Sequence, residues 1–312
     1  MLDFHTFAKA VRRRPGFALL PLFENGFFDK MPDEKYLCLE YRALTGKKLD
    51  VVCPESFNEK IAWLKLNDHN PLYKKLADKY MVRDFVSNVI GEKWLVPLLG
   101  VWKSPDQVDL SSLPQRFVLK CTQGYSGVVI CRDKATFDCN EAVKKLEKAY
   151  SCDYFSRARE WVYKNPVPRI IAETYVDDGN CVPADYKFMC FNGKVGIVCV
   201  SRAVNAAHAG AGCVSFFYPD GSKAPFKRSD YPEFPGDEVL PQSYLAMYEA
   251  AERLACASGA PFVRVDFYDV AGKPYFSEFT FYPCGGTMFL DPAGYDLALG
   301  ELLVLPKEGS AS

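Results

Sequence analysis

The chain has 312 residues, 49% of them hydrophobic and 25% charged, which is the balance of a globular protein of about two domains. Lysine and arginine total 38 against 39 aspartate and glutamate, so the charge argues against a nucleic-acid-binding protein that depends on a basic excess. None of the 12 cysteines forms a C-x-x-C pair, which leaves a zinc site without local support and favours reduced thiols.

The N-terminus carries Arg12 to Arg14 before a short apolar run, in an order that loosely resembles a signal peptide. Pro21 and Glu24 interrupt that run, and no apolar run approaches the roughly 18 residues of a membrane span. We therefore expect a cytoplasmic protein without a transmembrane segment. The arginines fit either a plain capping helix or peripheral contact with an anionic membrane.

Residues 1–90 carry helical patterns and predict a helical N-terminal segment. Helices are expected over 32–46, after a capping box at 56–59, after Asn70, and over 82–91.

The chain after residue 90 changes to short strands interspersed with helices. Helical periodicity recurs over 140–150 and 242–258. Strands are predicted over 116–120, 128–132, 169–176, 185–191, 194–201, 262–269 and 274–281. Because this order is not a regular alternation of strand and helix, the sequence predicts an α+β fold.

The last predicted hairpin carries two acids. Alternation along its strands places Arg264 and Asp266 on one face, and Glu278 and Thr280 together on a face of the second strand. A loop centred on Gly272 sets Asp266 directly opposite Glu278. Like charges that face each other in a sheet repel and destabilise it, and a Mg²⁺ ion between them would make the arrangement favourable. A solvated face with scattered charges is the alternative.

A loop of small residues follows a strand that ends near Lys120. It contains Gly124, Tyr125, Ser126 and Gly127. Backbone N–H groups of such a loop can bind phosphate oxygens, and the lysine adds a positive charge. The spacing is not that of a Walker A motif, so an ordinary hairpin with a surface lysine stays open.

A third group of polar residues surrounds a strand end at Glu173. A strand that leads into an acidic hinge could bind an adenine amino group and a ribose, and a solvated turn is the alternative. Asp185 and Lys187 begin the next predicted strand. Lys79 lies in the charged stretch 78–83, which also fits a surface helix with ion pairs of little energetic value.

Together these stretches resemble ATP-grasp enzymes and, more narrowly, the TupA-like ATP-grasp family, named for teichuronopeptide biosynthesis. The resemblance covers the chain from residue 33 onward, and its stretches are specific in combination rather than singly. The stretches are Phe57–Lys60, Ala77–Tyr80, Phe117–Lys120, Asp185–Phe188, Phe191–Lys194 and Arg264–Asp266.

The resemblance implies an ATP-grasp fold in which two α+β subdomains hold ATP between them. The lid subdomain with the phosphate loop would span 91–176, and the subdomain with the metal site would span 177–312. ATP and Mg²⁺ would be the cofactors. The residues implied to bind ATP are Lys79, Lys120, Gly124, Tyr125, Ser126, Gly127, Glu173, Tyr175, Val176, Asp185 and Lys187. Those implied to bind the metal are Asp266, Glu278 and Thr280.

Three basic residues are candidates for catalysis. The resemblance implies that Arg264 stabilises negative charge on an acyl group and that Lys187 reaches toward phosphate. Arg202, near a strand end, could bind phosphate or a substrate carboxylate, or form a structural ion pair. Thr280 stands where many ATP-grasp enzymes have Asn or Asp.

The resemblance also implies a reaction, in which ATP converts a carboxylate to an acyl phosphate that an amine then attacks. We expect a ligase that joins an amino acid to a carboxyl-bearing glycan or glycan precursor in bacterial cell-surface polysaccharide assembly, such as that of a capsule. Two alternatives stay open: an ATP-grasp kinase acting on a saccharide hydroxyl, and a nucleotide-binding scaffold without catalysis. Nucleic acid is not an expected partner.

Overall fold

The computed structural model describes residues 15–177, 184–202, 212–236 and 240–307. Within these ranges the chain forms antiparallel sheets and helices, as an α+β protein does. None of the described helices could cross a bilayer, because none combines sufficient length with sufficient apolarity. The hypothesis about Arg12 to Arg14 lies outside the described residues.

Helices occupy the first part of the chain, and most strands follow. The helices are α1 (Leu20–Glu24), α2 (Asp33–Thr45), α3 (Phe57–Asn67), α4 (Pro71–Ala77), α5 (Val82–Ile90), α6 (Cys139–Tyr150), α7 (Tyr154–Ala158), α8 (Tyr244–Ser258) and α9 (Tyr295–Leu302). The strands are β1 (Leu98–Trp102), β2 (Phe117–Cys121), β3 (Val128–Cys131), β4 (Ile170–Thr174), β5 (Asp185–Phe191), β6 (Lys194–Arg202), β7 (Cys213–Phe217), β8 (Lys227–Arg228), β9 (Phe262–Val270), β10 (Lys273–Thr280) and β11 (Leu290–Asp291).

Local sequence sets the ends of the N-terminal helices where they were predicted. Helix α2 ends at Gly46, which adopts a left-handed conformation with φ of +74°. Ser56 accepts a hydrogen bond from the Glu59 backbone, and the Glu59 carboxylate accepts one from the Ser56 backbone, so the predicted capping box is confirmed. Asn70 caps α4 by accepting from the backbone of Leu72.

The N-terminal helices belong to two different cores. Helices α1 and α2 bury Phe23 and Tyr36 in a small cluster of their own. Helices α3 to α5 instead share the main core, where the Phe57 ring lies 5.8 Å from Phe191 and 5.0 Å from Phe262. The later helices are therefore built onto the sheet that carries the two acids, and the boundary at residue 90 stays a prediction.

Two antiparallel sheets carry the candidate site. The four-stranded sheet has the order β1-β4-β2-β3 and is covered by α6, with Leu119, Leu146 and Ile170 buried between them. The five-stranded sheet has the order β10-β9-β5-β6-β7, and Val265 and Phe267 of β9 point into its core as predicted. Strands β8 and β11 form a separate pair.

The β9–β10 hairpin sets Asp266 opposite Glu278, as predicted, but not through a symmetric loop. The turn is the two-residue pair 271–272, whose φ values of +52° and +81° suit a tight hairpin. That turn pairs Phe267 with Phe276. A register shift between Phe276 and Glu278 then adds one residue to β10, and this bulge brings the acids face to face.

Sequence patterns did not predict β1, β7, the β8–β11 pair or α9. Gly100 interrupts the apolar pattern of β1, and β8 and β11 have two residues each. Helix α9 contains Gly300, a poor helix former. A Cβ at Gly300 would lie 2.1 Å from the Glu55 carbonyl oxygen, so close packing onto α3 explains this glycine.

The capping box predicts a measurable stability loss. Replacing Ser56 with Ala should lower the free energy of unfolding by about 1–2 kcal/mol, because the Glu59 backbone loses its acceptor. Urea denaturation measures this difference. The matched control is Ser104→Ala, since Ser104 precedes a short 3₁₀ turn without a side-chain capping bond. Equal losses in the two variants would contradict the capping account.

Candidate active site

The centre of the site is a buried acid, Asp266 on β9, which is 1% exposed. Arg264 donates to it twice, from Nε to Oδ1 at 2.8 Å and from Nη2 to Oδ2 at 2.6 Å. The Nζ atom of Lys187 lies 3.3 Å from Oδ2. Burial alone would raise the pKa of Asp266, but the charges of Arg264 and Lys187 hold that pKa below its usual range.

Lys187 joins a second acid to this centre. Its Nζ atom lies 3.2 Å from Oδ2 of Asp185, and register places Lys187 directly opposite Asp266. Burial raises the pKa of Asp185, and Lys187 opposes that rise. Burial also disfavours the charge on Lys187, but Asp266 and Asp185 outweigh it and raise the lysine pKa. The predicted residues of β5 and β9 thus form one electrostatic cluster.

Glu278 is the accessible acid of the pair, with 33% of its side chain exposed. Lys79 Nζ lies 3.5 Å from Oε2, and Arg264 Nη2 lies 3.9 Å from Oε1. Thr280, on the same strand, accepts a hydrogen bond from Arg264 Nη2 at 3.0 Å. The Arg264 guanidinium therefore lies next to all three residues predicted to bind the metal, which are Asp266, Glu278 and Thr280.

Lys79 connects this acid to the glycine loop. Its Nζ donates to the Gly124 carbonyl oxygen at 2.7 Å. Gly124 has φ of +69°, and a Cβ there would lie 2.3 Å from the Tyr154 ring. The Ser126 hydroxyl is hydrogen-bonded to Tyr154 as well. The loop is therefore held against α7 on one side and linked to Glu278 through Lys79.

A second ion cluster lies on the four-stranded sheet. Glu173 accepts from Lys120 Nζ at 2.6 Å and from Arg83 Nη1 at 2.9 Å. Arg83 also donates to the Val96 carbonyl at 2.7 Å. Burial disfavours the charge on Lys120, but Glu173 raises the lysine pKa above its ordinary value. Sequence patterns missed Arg83, because its stretch matched an ordinary charged helix and its acid partner is distant in sequence.

The predicted adenine hinge, Tyr175 and Val176, directly follows the C-terminal end of β4. The Tyr175 ring lies 4.5 Å from the Arg116 guanidinium, and its hydroxyl accepts from Arg132 Nε at 3.1 Å. The side chain of Tyr175 is thus engaged by two arginines, which leaves the backbone of 175–176 for the predicted adenine contact. Tyr125, at the tip of the glycine loop, is 70% exposed.

Arg202 is not brought into the cluster. It is exposed at the end of β6, with its guanidinium 5.5 Å from the Phe234 ring. Register places Ser201, rather than Arg202, opposite Asp185. Because neighbouring residues of a strand point to opposite faces, Arg202 lies on the other face of the sheet. A catalytic role for Arg202 stays a prediction.

The donor set at Asp266 and Glu278 has the chemistry of a magnesium–phosphate site. Mg²⁺ binds through one or two carboxylates and completes its shell with phosphate oxygens and water. Among the described residues no group of three or more His, Cys, Asp and Glu side chains converges. The two facing carboxylates could therefore hold a Mg²⁺ ion whose other ligands are phosphate oxygens and water.

The family model described as TupA-like ATPgrasp matches residues 59–304 of this chain. The chain belongs to the TupA-like ATP-grasp family. The predicted family and the predicted ATP-grasp fold are thereby confirmed. A comparison with curated proteins finds no match.

Several solved structures are similar to this chain. The ADP complex of purK, N5-carboxyaminoimidazole ribonucleotide synthetase, has a TM-score of 0.44 and 16% identity, over 72% of this chain and 51% of that one. D-alanine–D-alanine ligase from Bacillus anthracis complexed with ATP has a TM-score of 0.38 and 18% identity, over 66% and 55%. The L-amino acid ligase from Bacillus licheniformis has a TM-score of 0.40 and 14% identity, over 89% and 57%. The chain spans little more than half the length of these proteins, and such likenesses say nothing about substrate.

The position of Lys120 predicts a binding phenotype. Replacing Lys120 with Met should weaken the binding of a non-hydrolysable ATP analogue by roughly 10- to 100-fold, because a charge-assisted hydrogen bond is lost. Isothermal titration calorimetry measures the dissociation constant. Lys144→Met is the matched control, since Lys144 is exposed on α6, the helix that covers the sheet to which Lys120 belongs. An unchanged dissociation constant for Lys120→Met would contradict a phosphate contact.

Proposed function

We propose that this protein is an ATP-dependent carboxylate–amine ligase. The observation that carries the proposal is the row of charged side chains on the five-stranded sheet. In it, Arg264 donates two hydrogen bonds to Asp266, and Asp266 lies opposite Glu278. Lys79 and Lys187 contact the two acids of this row, and Lys120 contacts Glu173 on the four-stranded sheet. The phosphate oxygens of a nucleoside triphosphate carry the negative charge that such lysines would neutralise.

Mg²⁺ fits this proposal because it would change the partners of the charged groups. Asp266 and Glu278 would hold the ion, with Thr280 beside them, and it would supply charge neutralisation at the phosphates. Without the ion, Arg264 and Lys79 balance the two acids. Binding of the ion would therefore release these cations for phosphate and substrate oxygens.

The proposed reaction has two displacements. A carboxylate oxygen of the substrate attacks the γ-phosphorus of ATP, the bond to the β-phosphate oxygen breaks, and ADP leaves. The substrate amine then attacks the acyl carbon, the carbon–oxygen bond to phosphate breaks, and the amine loses a proton. Lys79, Lys120 and Lys187 would neutralise the phosphate oxygens during the first step. Arg264 would stabilise the negative charge that develops on the acyl oxygen in the second.

The substrates we propose are an amino acid and a carboxyl-bearing glycan or glycan precursor, in a cytoplasmic step of cell-surface polysaccharide assembly. Support comes from family membership, since the family is named for teichuronopeptide biosynthesis, and from a site that combines cations for phosphate with an arginine for an acyl oxygen.

Hydroxylamine trapping separates this ligase from a kinase. Purified protein is incubated with ATP, Mg²⁺, pairs of an amino acid and a uronic acid, and hydroxylamine. A ligase releases ADP and yields a hydroxamate, because hydroxylamine intercepts the acyl phosphate. ADP release with a sugar phosphate and no hydroxamate would identify a kinase acting on a hydroxyl and contradict the ligase proposal.

Removal of the two acids tests whether the site is catalytic. Asp266→Asn combined with Glu278→Gln should abolish substrate-stimulated ADP release, because both proposed metal ligands become neutral. Glu278→Gln alone should lower the rate by at least about 100-fold while the protein stays folded, since Glu278 is partly exposed.

The matched control for the double change is Asp84→Asn with Glu249→Gln, two exposed acids on α5 and α8. This control should release ADP at the unmodified rate. If the variant without Asp266 and Glu278 kept cellular function, the protein would be a nucleotide-binding scaffold.

A further inference from the structure

An arginine outside the residues already described lies beside the proposed catalytic face. Arg228 is on β8, and 17% of its side chain is exposed. Its Nε donates to Oδ1 of Asp230 at 2.7 Å, and its Nη2 donates to Oδ2 of the same carboxylate. This two-point contact fixes the plane of the guanidinium, so Arg228 is oriented before any ligand arrives.

The rest of the Arg228 guanidinium lacks a strong acceptor. A guanidinium has five N–H groups, and Asp230 takes two of them. Nη1 donates a third to the Cys284 sulfur at 3.0 Å, and a thiol is a weak acceptor. Among the described parts of the chain, no other oxygen or sulfur atom accepts a hydrogen bond from Arg228, and the Tyr231 ring lies 5.0 Å from its guanidinium. A second planar anion would therefore be a better partner for Nη1 than the Cys284 thiol is.

Register gives the separation between the two ends of the row of side chains that Asp266 belongs to. Glu278, Asp266, Lys187 and Cys199 form one row across four neighbouring strands. Lys79, which contacts the glycine loop, binds the Glu278 end of that row. The other end of the row, at Cys199, is three strands away, or roughly 14 Å at the spacing of paired strands.

Arg228 lies near the Cys199 end, because the ring of Phe226, two residues before it, is 4.8 Å from the ring of Phe216, and register places Phe216 opposite Cys199. Burial raises the pKa of the Cys199 thiol to about 11, and the charges of Lys187, Arg264 and Arg228 each oppose that rise. The charges of three cations therefore act on the Cys199 thiol. Asp266 balances the charges of Lys187 and Arg264, Asp230 balances that of Arg228, and Nη1 of Arg228 donates to the Cys284 sulfur.

Cys284 belongs to the turn Pro283–Gly286, which follows the end of β10 closely. Cys284 and Gly285 have φ values of +53° and +61°, and Cys284 is exposed. The turn thus presents its backbone and an accessible thiol beside Arg228, at the end of the site remote from the phosphate loop.

We propose that Arg228 and the Pro283–Gly286 turn bind the carboxylate of the amino acid that supplies the attacking amine. This rests on the proposed function and names the class of its second substrate. The carboxylate that is activated must lie near the phosphates and Arg264. A second carboxylate, carried by the incoming amine, needs its own cation, and Arg228 supplies one at the opposite end.

Protection of Cys284 from alkylation tests the proposal without requiring catalysis. The full-length protein with ATP and Mg²⁺ is treated with iodoacetamide, and alkylation of each cysteine peptide is followed by mass spectrometry. The standard amino acids are added in small pools and then singly. At least one should slow the alkylation of Cys284 severalfold, because its carboxylate displaces the thiol from Arg228 and covers it. Cys256, exposed at the end of α8, is the internal control and should not change.

The variant Arg228→Gln should lose this protection, and Arg228→Lys should keep part of it. Arg253→Gln is the matched control, since Arg253 lies on α8 and donates to the Val89 carbonyl. The proposal is overturned if no amino acid protects Cys284, if ATP and Mg²⁺ alone give full protection, if uronic acids protect instead of amino acids, or if Arg228→Gln keeps the protection.

Kinetics give a second readout once a substrate pair is known. In the unmodified protein, replacing the amino acid by its carboxamide should raise KM by about 10- to 100-fold, because a charge-assisted contact is lost. In Arg228→Gln the acid and the amide should have similar KM values, with kcat little changed. A purely structural role for Arg228 would leave the preference for the acid intact. The protection assay does not depend on ADP release, so the subsite proposal and the ligase proposal can be judged separately.

Discussion

A single buried carboxylate, Asp266, organises the candidate site. An ionised acid that is 1% exposed is costly unless cations and hydrogen bonds compensate it. Arg264 and Lys187 provide that compensation from the same strand and from the neighbouring one. Asp266 lies on an interior strand of the five-stranded sheet, so its partners Arg264 and Lys187 lie on the same face of that sheet. Glu278 lies opposite Asp266 on β10. The stability of the sheet and the charge pattern of the site therefore depend on the same contacts.

The helical part of the chain is an integral part of this site. Lys79, between α4 and α5, contacts the glycine loop and Glu278, and Arg83, in the first turn of α5, contacts Glu173. A ligand that draws Lys79 toward phosphate would change contacts on the loop and on β10 together. The row of charges also has two unlike ends, with lysines near the loop and Arg228 near Cys199. That polarity agrees with the proposed reaction, in which phosphate and amine approach one acyl group from different sides.

Much of the hairpin chemistry could be predicted because it depends on short-range rules. Alternation along β9 put Val265 in the core and Asp266 on the other face, and a tight turn limited the possible registers. The facing of Asp266 and Glu278 was predicted correctly, yet its cause was missed. The two-residue turn by itself would offset the acids, and the bulge before Glu278 restores their alignment. A bulge responds to packing on both strands, which no local pattern records.

The sequence by itself determined the helix ends, the alternating strands and the family, because capping, turn formation and strand periodicity act within a few residues. Gly46 and the Ser56 capping box are examples. Only the tertiary structure decided which charges meet. Arg83 reaches Glu173 from 90 residues away, and Arg228 meets the turn at Cys284 from 56 residues away. Such pairs are chosen by sheet order and by the cost of leaving a buried charge unpaired, and both exist only once the chain has folded.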